Sequence, residues 1–206
     1  MAERLVLYGA RTGNSLRAAI ALIEAGAVFE TIKLNLAFGD QHTPAFLQLN
    51  PLAKVPVLAA YDDDELIWAL SQSNAIMLKA AKRAPGRILP MDPLEEAKAI
   101  ERFFYFVTDV IAPSHAGFFL DQEGRRDGAK VMAALVEERI ERSQSFLEYT
   151  QYMAGDEFSL ADISAYTLIH SVRQSLRWSN LPLLADWYVR VEDRPGIKRG
   201  MAVFGT

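Results

Sequence analysis

Asn50-Pro51-Leu52-Ala53-Lys54-Val55-Pro56-Val57-Leu58 sets a proline inside a run that otherwise reads as a β-strand. A trans proline there would remove a ladder hydrogen bond and belongs on an edge strand. A cis Val55-Pro56 bond removes that conflict. Because cis bonds are only ~5–6% of X-Pro bonds, the run taken alone favours the trans form, and the decision rests on what flanks it.

Upstream, Leu5-Val6-Leu7-Tyr8 is dense in β-formers and predicts a buried strand, closed by a loop over residues 9–13. From Asn14 the apolar residues Leu16, Ile20 and Ile23 fall at helical spacing, with Gly26 as a stop. Residues 29–36 alternate, with Ile32, Leu34 and Leu36 on one side, and Thr43-Pro44 opens a short helix over 45–49. Downstream, Val55-Pro56-Val57-Leu58 and Glu65-Leu66-Ile67-Trp68 flank the turn Asp62-Asp63-Asp64, a hairpin, and helical spacing resumes over 73–82. The first half therefore reads βαβαββα.

Pro85, Gly86, Pro90 and Pro93 interrupt any period. They predict a linker at 83–92 between one domain at 1–82 and another at 93–206. In the second, amphipathic runs at 95–110, 129–149, 160–176 and 183–191, with a short piece after Pro195, predict an all-helical bundle.

The 206 residues are 50% hydrophobic and 23% charged, a globular composition. Twenty-six acidic against 22 basic residues give a net charge of −4, which argues against nucleic acid as a partner. With no cysteine, the chain has no disulfide, zinc–thiolate site or thiol nucleophile of its own, so any sulfur chemistry uses a sulfur from outside. The short apolar run at 5–8 does not resemble an export signal. The apolar stretch 103–113 is broken by Thr108 and Asp109 and falls short of the ~20 residues of a membrane span. A cytoplasmic protein without membrane partners is expected. His42, His115 and His170 stand apart, so no metal is expected, and neither a Walker loop nor a Gly-x-Ser-x-Gly elbow occurs.

Arg11-Thr12-Gly13-Asn14-Ser15 joins the first strand to the first helix. Its Thr, Asn and Ser suit an N-cap, and the same turn suits an anion, since a helix N-terminus carries roughly half a positive charge. Phe158-Ser159-Leu160-Ala161-Asp162-Ile163 has the spacing of a capping box, with Phe158 and Ile163 in staple positions. Of Phe103, Phe104, Tyr105 and Phe106, four aromatics in a row, not all can face a core.

The proline run, with Leu70-Ser71-Gln72-Ser73-Asn74-Ala75-Ile76 behind it and a βαβαββα half before an all-helical half, resembles the cytosolic glutathione transferase family. The resemblance covers the whole chain. It implies an α/β thioredoxin-like first domain, a cis Val55-Pro56 bond, glutathione as co-substrate without any cofactor, and a homodimer. The spacing Thr12-x-Asn14, followed by Glu24-Ala25-Gly26, is similar to bacterial Nu-class and yeast prion-like members, with Gly13 in place of their proline. The resemblance puts Thr12 and Asn14 at the glutathione sulfur, with Ser15 and Tyr8 as competitors. It puts Gln41, Lys54, Val55, Pro56, Gln72 and Ser73 along the rest of glutathione, with Gln72 where many members have glutamate. Tyr8, Arg11, Phe106, His115 and Phe118 are then the candidates for an electrophile pocket. The activity implied is attack of a stabilised glutathione thiolate on a hydrophobic electrophile. Reduction of a disulfide or peroxide and a non-catalytic interaction module are the alternatives.

Overall fold

A computed structural model describes residues 3–205. The chain divides into two compact units. One runs to Ile88 and resumes at Arg194; the other is Leu89–Asp193. The break at Ile88 falls within the 83–92 segment. The residues from Arg194 onward, however, belong with the first unit and not with the helical domain of 93–206 to which their position in the sequence assigned them.

The first unit holds β1 (Arg4–Gly9), α1 (Gly13–Glu24), β2 (Glu30–Lys33), α2 (Pro44–Leu49), β3 (Val57–Asp62), β4 (Glu65–Ser71) and α3 (Ser73–Arg83). The sheet order is β2-β1-β3-β4, with β1 parallel to β2 and antiparallel to β3, and β3 antiparallel to β4. Because side chains alternate along a strand, Leu5 and Leu58 of β3 face one side of the sheet, where they border a cavity with Leu22 of α1 and Ala80 of α3. Val57 and Tyr8 point the other way, into a cluster with Leu34 and Phe46 under α2. The Val55-Pro56 bond is cis, and Pro56 precedes β3 rather than interrupting it.

β2 is shorter than its alternating pattern predicts. After Lys33 the chain turns into a local lock, in which the Asn35 N–H donates to Asp40 Oδ2 (2.7 Å) and the Phe38 N–H to Asn35 Oδ1 (3.3 Å). These side-chain acceptors compete with the ladder.

α9 (Pro195–Ala202) closes the first unit by packing on α1. Glycines permit the approach. A Cβ on Gly200 would lie 2.9 Å from Ile20 Cα, and one on Gly196 would lie 2.9 Å from Glu24 Cγ. Arg194 clamps the pair by donating from Nε (3.2 Å) and Nη2 (2.8 Å) to the Glu24 carboxylate. Phe204, 2% exposed, then fills the space that a side chain on Gly9 would need, since a Cβ there would meet the Phe204 ring and lie 3.0 Å from Ser15 Cβ.

In the second unit, α4 (Pro93–Phe104), a π-helical turn (Tyr105–Ile111) and α5 (Ala112–Gln122) form one continuous helix. The amphipathic run at 95–110 predicts a helix that ends near 110, whereas the observed one continues through Pro113. The π-helical turn just before the proline carries the helix through it. Over its full length, Pro93–Gln122 is long and apolar enough to cross a membrane, unlike the shorter stretch read from sequence. Its buried Phe103, Phe106 and Val110 form core with Ile140 of α6 (Arg126–Ser143), Tyr166 of α7 (Leu160–Val172) and Trp187 of α8 (Pro182–Glu192). Ser159 and Asp162 form the expected capping box at the start of α7.

Candidate active site

Strand register gathers three loops of the first unit. Tyr8 near the end of β1 pairs with Val57 at the start of β3, and Val57 pairs with Ser71 at the end of β4. The turn before α1, the proline loop and the start of α3 therefore emerge side by side at one end of the sheet. Gly9 pairs with Lys33, so the chain leading to Gln41 leaves from the same end.

At the turn before α1, Thr12 is extended (φ −120°, ψ 151°) and caps the helix. Its Oγ1 accepts from the Ser15 N–H (3.3 Å) and donates to Ser15 Oγ (3.1 Å). Ser15 Oγ also accepts from the Ala10 N–H (3.3 Å). Both hydroxyls are thus used to hold the turn, and Ser15 is fully buried, which makes it a brace and not an open ligand contact. Asn14 is half-buried, and its side chain makes no hydrogen bond among the described residues. As the first two helical residues, Gly13 and Asn14 have N–H groups without intrahelical acceptors. Arg11 is exposed.

The proline loop is shaped by Asn50, which is buried. Its Nδ2 donates to the Lys54 carbonyl (2.7 Å), and its Oδ1 accepts from the Leu52 N–H (3.1 Å). Ala53 adopts the left-handed conformation, φ 53°. Val55 lies outside the ladder and makes no hydrogen bond among the described residues, while Lys54 is exposed beside it. Gln72 has φ 73° and makes no side-chain cap, so α3 begins with unspent N–H groups and with Ser73 buried at its first position. A glutamine in a region that L side chains seldom occupy persists only where the surrounding structure holds it there. Gln41 Nε2 donates to the Leu36 carbonyl (3.4 Å).

Among the described residues the buried side-chain polar atoms without a partner are Arg17 Nε, Gln41 Oε1 and Asn74 Oδ1, all in the first unit. Sequence reasoning missed Arg17 and Asn74. Asn74, a poor helix former in the first turn of α3, carried the signal; Arg17 carried none beyond its charge in an otherwise apolar helix.

Tyr8 is not at the turn. Its hydroxyl is 2.8 Å from that of Tyr61 and its ring meets Phe46 edge-on, on the α2 side of the sheet. Burial, then the Tyr61 hydrogen bond, push its ionisation well above the ordinary phenol range, so it does not act as an acid at neutral pH. In the second unit Phe106 is core, packed edge-on against Tyr105 and Phe146, and cannot line a pocket. His115 is exposed, and Phe118 borders a cavity of about 230 Å³ with Ser114, Gly117, Ala133 and Val136. No group of three His, Asp or Glu side chains suited to a metal occurs among the described residues.

Residues 3–78 match the family model for the glutathione S-transferase N-terminal domain, and residues 99–200 match that for the C-terminal domain. The chain is 25% identical over 204 residues to glutathione S-transferase GstB of Escherichia coli, covering 95% of this chain and 96% of that one. It is 26% identical to the disulfide-bond oxidoreductase YfcG of Escherichia coli, covering 92% and 90%. Its fold matches the theta-class glutathione S-transferase of Xanthomonas axonopodis pv. citri, solved with glutathione bound, with a TM-score of 0.77 and 25% identity over 97% of this chain and 98% of that one. With a mixed four-stranded sheet followed by a helical unit, and both family models matched in order, the chain belongs to the cytosolic glutathione transferase family.

Proposed function

We propose that the protein binds glutathione at the end of its sheet and holds the sulfur as a thiolate for attack on a hydrophobic electrophile. The observation that carries this reading is the convergence, at that end, of three loops whose polar groups are unspent. Val55, with free backbone N–H and C=O groups, suits an extended peptide that pairs like an added strand. The start of α3, with Ser73 and its bare N–H groups, suits the γ-glutamyl carboxylate. Gln72 lies beside it, and Lys54 and Gln41 suit the glycyl carboxylate.

The sulfur falls to Asn14 and the N–H groups of Gly13 and Asn14, because Thr12 and Ser15 are engaged with each other. A hydrogen bond to an anion is worth ~1.5–3 kcal/mol, and one pKa unit is about 1.4 kcal/mol. Asn14 alone therefore suffices for a shift of about one to two units. The thiolate then forms a bond to the electrophilic carbon, and the leaving group departs with the electron pair. Proximity supplies the rest.

Disulfide reduction is the second reading, favoured by the Thr12-x-Asn14 spacing and the likeness to a disulfide-bond oxidoreductase. There the glutathione thiolate attacks one sulfur of a disulfide and expels the other as a thiolate. With no cysteine in the chain, every sulfur involved comes from the substrates.

The test is titration of bound glutathione, followed by its ultraviolet thiolate absorbance, in Asn14→Ala and Thr12→Ala variants. Asn14→Ala raises the thiol pKa by about one to two units and slows conjugation of a chloro-nitroaromatic, with glutathione affinity little changed. Thr12→Ala lowers thermal stability by about 1 kcal/mol through the lost cap. A pKa that moves with Thr12 and not with Asn14 refutes the assignment, and absence of binding at millimolar glutathione favours the interaction-module reading. We further propose a cytoplasmic homodimer, for which light scattering reads twice the 23.0 kDa chain mass.

A further inference from the structure

Arg17 is the one charged side chain of α1 besides Glu24, and Glu24 is held by Arg194. It is 2% exposed and makes neither a hydrogen bond nor an ion pair among the described residues. Its side chain runs back over the preceding turn, as helical side chains do, so that Nη2 would lie 3.6 Å from a Cβ on Gly13. The guanidinium is thus buried beneath the first turn of α1.

The helices packed on α1 offer no counter-ion. The ionisable side chains of α3 are Lys79, Lys82 and Arg83, and those of α9 are Lys198 and Arg199, all cations. Burial pulls the pKa of Arg17 down to about 10, with no neighbouring charge contributing, so it stays charged at neutral pH. A buried cation without a partner is costly to a folded protein. Here it coincides with the positive end of α1 and with the free N–H groups of Gly13 and Asn14. Two independent features, the buried guanidinium and the N-terminus of α1, therefore favour a negative charge at one turn.

We propose that Arg17 is the fixed counter-charge of the glutathione sulfur, a buried cation that is unpaired in the free protein and paired when the thiolate binds above Gly13. The inference rests on the functional reading above and adds a residue to it. Its consequence is a trade: the charge that lowers the thiol pKa weakens the ligand-free fold.

Bound glutathione is titrated in the wild type and in Arg17→Met and Arg17→Lys variants, alongside thermal unfolding of the ligand-free proteins. In Arg17→Met the thiol pKa rises by at least one unit, a tenfold fall in the acid dissociation constant of the bound thiol. Binding of S-methylglutathione, which has no thiolate, stays within about twofold, since it tests none of the charge interaction. The ligand-free thermal midpoint holds or rises, and Arg17→Lys restores most of the pKa shift. An unchanged pKa in Arg17→Met, or a lowered midpoint with equal loss of both ligands, overturns the proposal and makes Arg17 structural. Arg17→Gln repeats the measurement if the Met variant does not accumulate. If the wild type itself binds no glutathione, the functional reading has failed; if it binds with a lowered thiol pKa that no Arg17 variant moves, only this inference has.

Discussion

Asp162→Ala is expected to leave the helical unit largely unfolded. The carboxylate, fully buried, accepts from the Met153 N–H (2.9 Å), the Trp187 Nε1–H (2.8 Å), the Ser159 N–H (2.9 Å) and Ser159 Oγ (3.1 Å). Burial pushes its pKa up, and these four bonds work against that. Removing it orphans three fixed N–H groups, the one from the capping box among them, at about 1–3 kcal/mol each. Even the low end, about 3 kcal/mol, is a large share of the ~5–15 kcal/mol that holds a domain together. Soluble yield and the thermal midpoint read the loss. Asp162→Asn, which keeps one acceptor oxygen, is expected to fall between the two, and a midpoint for Asp162→Ala within a few degrees of wild type would show that the four bonds carry little net stability.

The second large effect is expected at Gly200. A leucine there has to occupy the space of the Ile20 backbone, since even the first carbon would lie 2.9 Å from Ile20 Cα and 3.1 Å from Ile20 N. Backbone cannot rotate away, so α9 has to lift from α1. Overpacking costs ~1–3 kcal/mol, and at the upper end the midpoint falls by roughly 6–12 °C for a chain of this size. Gly128→Ala is the control. Its nearest neighbour is the flexible Leu120 Cδ1 at 3.3 Å, and the gain of up to ~1 kcal/mol in helix propensity offsets the crowding. Equal midpoints for the two variants would mean that α9 packs more loosely than the Gly200 contact requires.

Much of the fold was legible because its signals are local. Alternation and helical spacing marked the βαβαββα order, and Ser159 and Asp162 announced the start of α7 three residues apart. What escaped depends on contacts distant in sequence. The short helix after Pro195 reads as the end of the helical half, yet Gly196 and Gly200 fit it to α1. Of the turn residues, Thr12 and Ser15 look equally suited to an anion in sequence, and only their mutual hydrogen bonds separate them from Asn14. The surroundings of Tyr8 escaped for a different reason. Strand alternation fixes which face it points to, but which helix covers that face is decided by the crossover connections.

The packing of α9 and Phe204 also bears on the order in which the protein takes shape during synthesis. The helical unit is, in chain order, an insertion between α3 and α9, so the ribosome synthesises all of it before Arg194 and Phe204 exist. Until then the face of α1 that receives Gly196 and Gly200 is bare, and nothing fills the space beside Gly9 and Ser15. The turn proposed to hold the sulfur is therefore among the last parts of the nascent protein to be completed, and a nascent chain stalled before Arg194 would carry every loop of the site without the support beneath one of them.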